Sequence, residues 1–433
     1  MRNAGALLRF IRPWSKVGEA APIVHRALGN TVELHGDGTT KFDGNSGAMS
    51  SVLGAQNEKV SASIADQLNV LASYDASTFS NPNAERLARS LIERTGSWGG
   101  AAYLANSGSE ANEAAIGMAT QIQEARGRGH VPIAVLSHGY HGSTSLLRHL
   151  SMGGQFAPKA LRLGVEVRYI DCAPWMYTVD NDTTYARAFR RSVADAISGR
   201  SYSGEPAGIV IIEPWLNVAG GYTLPQDTLR TAEESCRDQG AILIADEVFT
   251  GFGRRGALSC ALADGIDPDF ITLSKGLTNG TVPLSATLTS SSIADELALL
   301  ARVFAGHTMS GNALAAEAAI ASLREFDDNG VWSRVGRVAQ VVADASEAFT
   351  DQGVRHHTFG SCVSVHLDTD DDAVTLSRFC SDRGVIVRRQ SNSVMLIPAL
   401  TSADSDLLAA IGVIAAGAAE IAGSRAVFAD ETR

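Results

Sequence analysis

Four short runs in the middle of the chain are apolar almost from end to end: IAVLSH at 133–138, GIVIIEPW at 208–215, AILIADEV at 241–248 and FITLSK at 270–275. A strand with one wet face alternates apolar and polar residues. Continuous apolarity instead predicts strands covered on both faces, as in a mostly parallel sheet. Helical periodicity fills the gaps, and TLRTAEESCRDQG at 228–240 predicts a helix that stops on Gly240. Strands alternating with helices predict a layered α/β domain over about residues 51–310. From 311 the order changes. Residues 311–350 read as one long helical stretch, and strand-like patches follow at SCVSVHL (361–367), GVIVRR (384–389) and SVMLIPA (393–399). This order predicts a smaller α+β domain over 311–433, with residues 1–50 as a segment packed against it. The acidic DTDDD at 368–372 reads as a solvated turn, because a calcium loop needs ligands spaced further along.

DLLAAIGVIAAGAAEIAG at 406–423 is the most membrane-like stretch. Leu407, Ile411, Ile414 and Ile421 recur at helical spacing and Glu420 interrupts the run, so a packed terminal helix is expected and no membrane partner. Near the start, Arg9 and Arg12 break any signal-peptide core in MRNAGALLRFIRPW.

A length of 433 residues, 45% of them hydrophobic, gives room for two or three units around a large core. The net charge of −11 leaves no basic field for a polyphosphate backbone, which argues against nucleic acid. Cys172, Cys236, Cys260, Cys362 and Cys380 are scattered without a metal-knuckle or redox pair, so reduced thiols and a cytoplasmic location are expected.

The candidate chemistry starts from Asp246, which ends one apolar run, and Lys275, which follows another. Open α/β sheets bind ligands beyond the carboxyl ends of their strands, so both residues are expected at one crevice. A buried carboxylate needs a cationic partner, and a lysine shielded from water is a nucleophilic amine able to form a Schiff base. Pyridoxal 5'-phosphate satisfies both residues, with its aldehyde for Lys275 and its pyridinium nitrogen for Asp246. Its phosphate needs an anion site, and LANSGSEANEAAIGMA at 104–119 offers Ser107, Gly108 and Ser109 ahead of strong helix formers. Read without the rest, Ser109 is simply a helix cap. GFGRRG at 251–256 matches a dinucleotide fingerprint but opens no long helix, since Gly265 and Pro268 soon interrupt, and it is set aside.

Five ordered blocks then carry a resemblance: NSGSEANEAA, SHGYHGST, IIEPW…GG, IADEVFTGFGRRGALSCALADGIDPDFITLSKGL and GHTMSGNALAAEAA. Together they cover most of residues 100–325. The chain resembles the class III (ω-type) aminotransferases of the fold type I pyridoxal-phosphate enzymes. That resemblance implies an α/β fold with a large, mostly parallel domain and a smaller α+β domain built from the C-terminal part and the N-terminal segment. It implies that Lys275 carries the cofactor and shuttles a proton, and that Asp246 holds the pyridine nitrogen protonated. Val248 and Tyr140 would flank the ring, and Glu213 would lie near its substrate side. Ser107, Gly108 and Ser109 would cradle the phosphate with Thr308 of a neighbouring subunit, in a homodimer. Arg388 resembles an arginine that binds a substrate carboxylate in some members, although Arg389 is adjacent. His138, His141 and His307 are not at metal-ligand spacing, and no metal is expected.

The implied reaction is ping-pong transfer of an amino group between a small amine or amino acid and an oxo compound. Racemisation or epimerisation, amino-group mutation and elimination–replacement share its first steps. A catalytically idle dimeric binding protein on this fold would lack Lys275, and the lysine is present. The block KFDGNSGAMSSVLGAQNEKV departs from the family pattern: it has no aromatic residue after Ser-Gly and no Gly-His before the next helix. Trp215, Arg255 and Ala313 also stand where the family usually has other residues. These departures bear on the substrate, and none touches Lys275 or Asp246.

Overall fold

The computed structural model of the protein describes residues 10–431 except 37, 161–162, 173–175, 177–182, 203 and 226. Arg9 of the N-terminal stretch lies outside the described residues. A seven-stranded sheet runs in the order Gly99–Ala105, Ser285–Ser290, Phe270–Leu273, Ile242–Asp246, Ile209–Ile212, Ile133–Leu136 and Val167–Ile170. Only Ser285–Ser290 is antiparallel to its neighbours. All four apolar runs are strands of this sheet, and the side chains show why they are continuous. Ile209, Ile211, Ile242 and Ile244 point into one core cluster, while Val210, Ile212, Leu243 and Ala245 point into another. Each strand therefore buries both of its faces.

The helix Thr228–Gln239 ends on Gly240, whose φ of 63° supplies the left-handed cap. The stretch expected as one helix over 311–350 is two, Ala313–Asp328 and Val331–Asp351, because Gly330 turns left-handed at φ 61° between them. The first packs on the helices Glu58–Leu68 and Pro82–Arg94. The second crosses from one core to the other: Val331 and Val335 belong to the large core, Val338, Val342 and Phe349 to the C-terminal one. Packing thus changes inside Val331–Asp351 rather than at residue 310.

The C-terminal part forms a four-stranded antiparallel sheet ordered Arg355–Phe359, Cys362–His366, Ser393–Leu396 and Arg388–Gln390. The run GVIVRR does not make one strand. Val385–Ile386 pairs in parallel with Thr40–Asp43 of the N-terminal sheet, and the chain then crosses at Val387 into the C-terminal sheet. Gly44 makes this possible, since a Cβ there would sit 2.5 Å from the Ile386 carbonyl oxygen. The acidic run at 368–372 is also no turn. Thr369 and Asp372 form a capping box, and three aspartates fill the first turn of the helix Asp370–Asp382, where the helix dipole favours them.

The last helix, Asp404–Glu431, contains a stretch, Asp404–Gly423, long and apolar enough to cross a membrane. Leu407, Ala410, Ile411, Ile414, Ala415 and Ala418 form its buried stripe in the C-terminal core, with Val338, Val342 and Leu376. Gly417 permits the close approach, because a Cβ there would lie 2.6 Å from Leu376 Cδ1 and from Phe379 Cδ1. A Cβ at Gly412, by contrast, would meet nothing within 4 Å. Gly417→Val is expected to overpack this contact and destabilise the fold by about 1–3 kcal/mol. Gly412→Ala is expected to stabilise it by roughly 0.5–1 kcal/mol through helix propensity. Thermal unfolding of the two variants checks the opposite signs.

Candidate active site

Asp246 is the last residue of its strand and pairs in register with Thr272 of the next. Lys275 stands three residues past Thr272, beyond the carboxyl end of that strand, at φ 33°. Both open into one cavity of about 220 Å³. Ser107, Gly108 and Ser109 line one part of it, at the start of the helix Gly108–Ala125. Tyr140, Glu213 and Val248 line the rest of the predicted set. Eight of the ten predicted residues therefore meet in one place.

Two do not line that cavity. Thr308 faces a separate concavity of about 860 Å³ beside Tyr74, Tyr103 and Met309. Arg388 is half-buried in its strand while Arg389 is exposed, which separates the two neighbouring arginines. The guanidinium of Arg388 acts on Lys275 electrostatically, and its Nε has no hydrogen-bond partner.

Asp246 is held from several sides. Its Oδ2 accepts from Asn112 Nδ2 and His141 Nδ1, each at 2.8 Å, and its Oδ1 accepts the Val248 amide at 3.1 Å. The supports are themselves held: Asn112 Nδ2 also donates to the His141 carbonyl at 2.7 Å, and Asn112 Oδ1 accepts from Thr272 Oγ1 at 2.7 Å. His141 is buried and its Nε2 has no partner. A carboxylate can only accept, so the proton on His141 sits at Nδ1.

Burial sets the charge on the other groups. Lys275 is lowered to about 8 by loss of solvent, which outweighs the pull of Asp246 and Glu213, and the guanidinium groups of Arg388 and Arg254 push the same way as burial. Burial, then repulsion from Asp246, raises the Glu213 carboxyl well above the ordinary carboxylate range, while the Tyr140 amide donates to its Oε1 at 2.9 Å. The Lys275 amine lies 5.6 Å from the ring centroid of Phe249.

At the helix start, Ser107 rather than Ser109 is the cap, accepting the Glu110 amide at 3.2 Å. Ser109 Oγ instead accepts the Ser143 amide at 3.2 Å. Gly108 is required by contact, because a Cβ there would sit 2.7 Å from Val248 Cγ1. The first amides of a helix have no partner within it and, with its dipole, favour an anion.

Sequence reasoning missed Asn112, Thr272 and Phe249, and set His141 aside as a metal ligand in favour of a neighbouring role or none. Asn112 did leave a signal: an amide amid alanines on a helix must find a partner once buried. Among the described residues no cluster of histidine, cysteine and carboxylate side chains can hold a metal. The GFGRRG segment is a turn, with Arg254 buried and Arg255 paired to Asp264 at 2.6 Å. The set that does converge fits pyridoxal phosphate: a poised amine, a fixed carboxylate, a helix N-terminus, and Tyr140 and Val248 as walls. In cofactor-free protein, acylation of Lys275 should reach half its maximal rate near pH 8, against about 10.4 for an ordinary lysine. The amine is the reactive form, so the rate rises with pH, and peptide mass spectrometry reads it.

Residues 15–416 match the family model described as Aminotransferase class-III. An adenosylmethionine-8-amino-7-oxononanoate aminotransferase of Staphylococcus aureus is 27% identical, covering 91% of this chain and 92% of that one. A mitochondrial acetylornithine aminotransferase of Yarrowia lipolytica is 28% identical, covering 92% of each. Among solved structures, an amine transaminase from an uncultivated Pseudomonas species in its PLP-bound form superposes with a TM-score of 0.86 at 25% identity, covering 95% of this chain and 98% of that one. With fold, site and relatives in agreement, the chain belongs to the class III aminotransferases, fold type I enzymes that work with pyridoxal phosphate.

Proposed function

We propose that this aminotransferase works through Lys275 as the amine that carries the cofactor and moves the proton, and Asp246 as the anchor of the cofactor's ring nitrogen. The observation that supports this most strongly is a buried amine in the same cavity as a triply hydrogen-bonded carboxylate. Pyridoxal phosphate supplies, when bound, an aldehyde for an amine to condense with and a pyridinium that draws electrons from the carbon bearing that amine. Lys275 Nζ, with its pKa brought to about 8, is partly neutral near physiological pH and can take a proton from the donor's α-carbon and return it. Asp246 stays an acceptor because Asn112, His141 and Val248 all donate to it, which favours a protonated ring nitrogen opposite. Ser107, Gly108 and Ser109 hold the phosphate, and Val248 and Tyr140 confine the ring. Glu213 lies on the substrate side.

The donor is a small amine or amino acid and the acceptor an oxo compound. Arg388 is the group that would receive a substrate carboxylate, because its half-buried guanidinium keeps an unsatisfied Nε. We also propose a cytoplasmic homodimer. Val70, Leu299 and Phe304 are 80%, 86% and 77% exposed, large apolar side chains that a second copy of the chain would cover. Thr308 lines a concavity separate from the cavity of its own Lys275, as expected of a residue delivered to a partner's phosphate site. Five buried, unpaired cysteines suit a reducing compartment. Light scattering at twice the mass of one chain checks the dimer.

Incubation of the holoenzyme with a single amine donor should accumulate pyridoxamine phosphate and bleach the visible cofactor absorbance. Turnover without pyridoxamine phosphate would overturn transamination, and Lys275→Ala should hold no borohydride-reducible cofactor. In a donor panel, Arg388→Gln should raise KM by roughly 10–100-fold for carboxylate-bearing substrates and leave neutral amines unchanged, the range expected for one charge-assisted hydrogen bond.

A further inference from the structure

Phe249 lines the cavity next to Lys275, and the structure gives its ring no room to move away. Trp215 stacks behind it at 5.0 Å with an interplanar angle of 26°, and Phe359 stacks behind Trp215 at 5.6 Å and 16°. Arg255, ion-paired to Asp264, closes the far end 5.5 Å over Phe359. On the near end, Arg254 lies 5.7 Å from the Phe249 centroid and is itself held by the carbonyls of Pro398 at 2.6 Å and Met49 at 3.3 Å. Trp215 is fully buried and tightly seated: a Cβ on Gly221 would come 2.7 Å from its Cζ2.

Trp215 also carries a cost. Its indole N–H has no acceptor, and an unsatisfied buried donor destabilises by about 1–3 kcal/mol. A phenylalanine or leucine would avoid that cost, so bulk and shape, not hydrogen bonding, are what the indole contributes at this position.

The consequence for substrates follows from bond lengths. A donor must bring its nitrogen to the place Lys275 Nζ occupies, 5.6 Å from the ring centroid. Substituents on the donor's reacting carbon then lie only two bonds, roughly 2.5 Å, from that nitrogen. On one side they meet Phe249. We propose that Trp215 is a specificity-determining positioning residue, fixing Phe249 as a wall that admits only a small substituent on that side of the reacting carbon. The proposal builds on the reading of Lys275 as the reacting amine.

The first test uses cofactor-free protein and does not depend on turnover. Lys275 is alkylated with propanal or with the branched 2-ethylbutanal, each reduced onto the amine by cyanoborohydride with loss of water, and exposed Lys159 serves as the internal control. Peptide mass spectrometry gives the propanal preference at each lysine. In wild type, Lys275 should favour propanal at least roughly tenfold more than Lys159 does, the worth of excluding one methylene and so a floor for aldehydes that differ by three carbons. Phe249→Ala should bring the preference down to that of Lys159, Trp215→Leu should move it the same way, and Trp215→Phe should keep it. An equal preference at the two lysines in wild type, or an unchanged one in Phe249→Ala, would overturn the wall. An unchanged preference in Trp215→Leu would overturn the positioning role of Trp215, and if that variant fails to fold, Trp215→Met is read by the same criterion. The second test compares 2-aminobutane with 3-aminopentane in single turnovers of the holoenzyme. Wild type should prefer the smaller amine and Phe249→Ala should lose that preference; retention of it would count against the wall. Failure of wild type to react with any amine, alongside a selective Lys275 in the first test, would sink the aminotransferase role of the lysine and leave the wall standing.

Discussion

The structure turns on a single electrostatic constraint, the withdrawal of an amine from water beside a carboxylate that cannot move. Burial lowers Lys275 more than the charges of Asp246 and Glu213 raise it. The share of neutral amine near physiological pH is therefore set by position. Had desolvation been weaker, the nearby carboxylates would have kept a still larger share of the lysine as the ammonium ion, which is not a nucleophile. Asp246 faces the opposite demand. Its carboxyl group has also left water, and the amide of Asn112, the imidazole of His141 and the backbone of Val248 supply the hydrogen bonds that water cannot. One partner is made reactive by lacking solvent, the other is made stable by replacing it.

The rest of the architecture serves that arrangement. A strand buried on both faces can carry Asp246 at its tip without fraying, since Ile242 to Ala245 are gripped by separate cores above and below the sheet. Gly108 lets a helix begin against Val248, so the helix N-terminus and that wall of the cavity share one contact. Arg254 ties the N-terminal loop at Met49 and the C-terminal segment at Pro398 to the back of the same cavity. Pieces of chain some 350 residues apart thus converge on one buried guanidinium.

Much of this was legible in the sequence for a physical reason. Short continuous apolar runs rich in β-branched residues favour strands covered on both faces, and charged residues at the ends of two of them call for a joint explanation, so the strands, Asp246 and Lys275 could be read directly. What could not be read depends on distance in the chain. The network around Asp246 joins positions 112, 141, 246 and 272, and nothing local marks them as neighbours. GVIVRR has the composition of a strand, but composition does not say that two sheets would share it. The acidic run at 368–372 was misread because its charge drew attention away from the Thr-x-x-Asp spacing that makes a capping box. Which serine caps the helix at 108 rested on a one-residue choice between Ser107 and Ser109, which only backbone geometry resolves.

The unsatisfied polar atoms carry the argument a step further. His141 Nε2, Trp215 Nε1, Asn217 Oδ1, Arg254 Nε and Arg388 Nε are all without partners, and all lie in or around the Lys275 cavity. Each is destabilising by itself, and a fold selected for stability alone would satisfy or remove them. Other buried polar atoms without partners lie away from the site, Gln123 Oε1 and Arg168 Nη2 among them, so what distinguishes these five is the cavity they surround. The two kinds of orphan differ in what they imply. A guanidinium such as Arg388 gains a partner when an anion arrives, whereas the indole of Trp215, sealed between Phe249 and Phe359, gains none. The first is consistent with a ligand contact and the second only with a steric one. This difference separates the residue expected to recognise the substrate from the one expected to shape the space it enters.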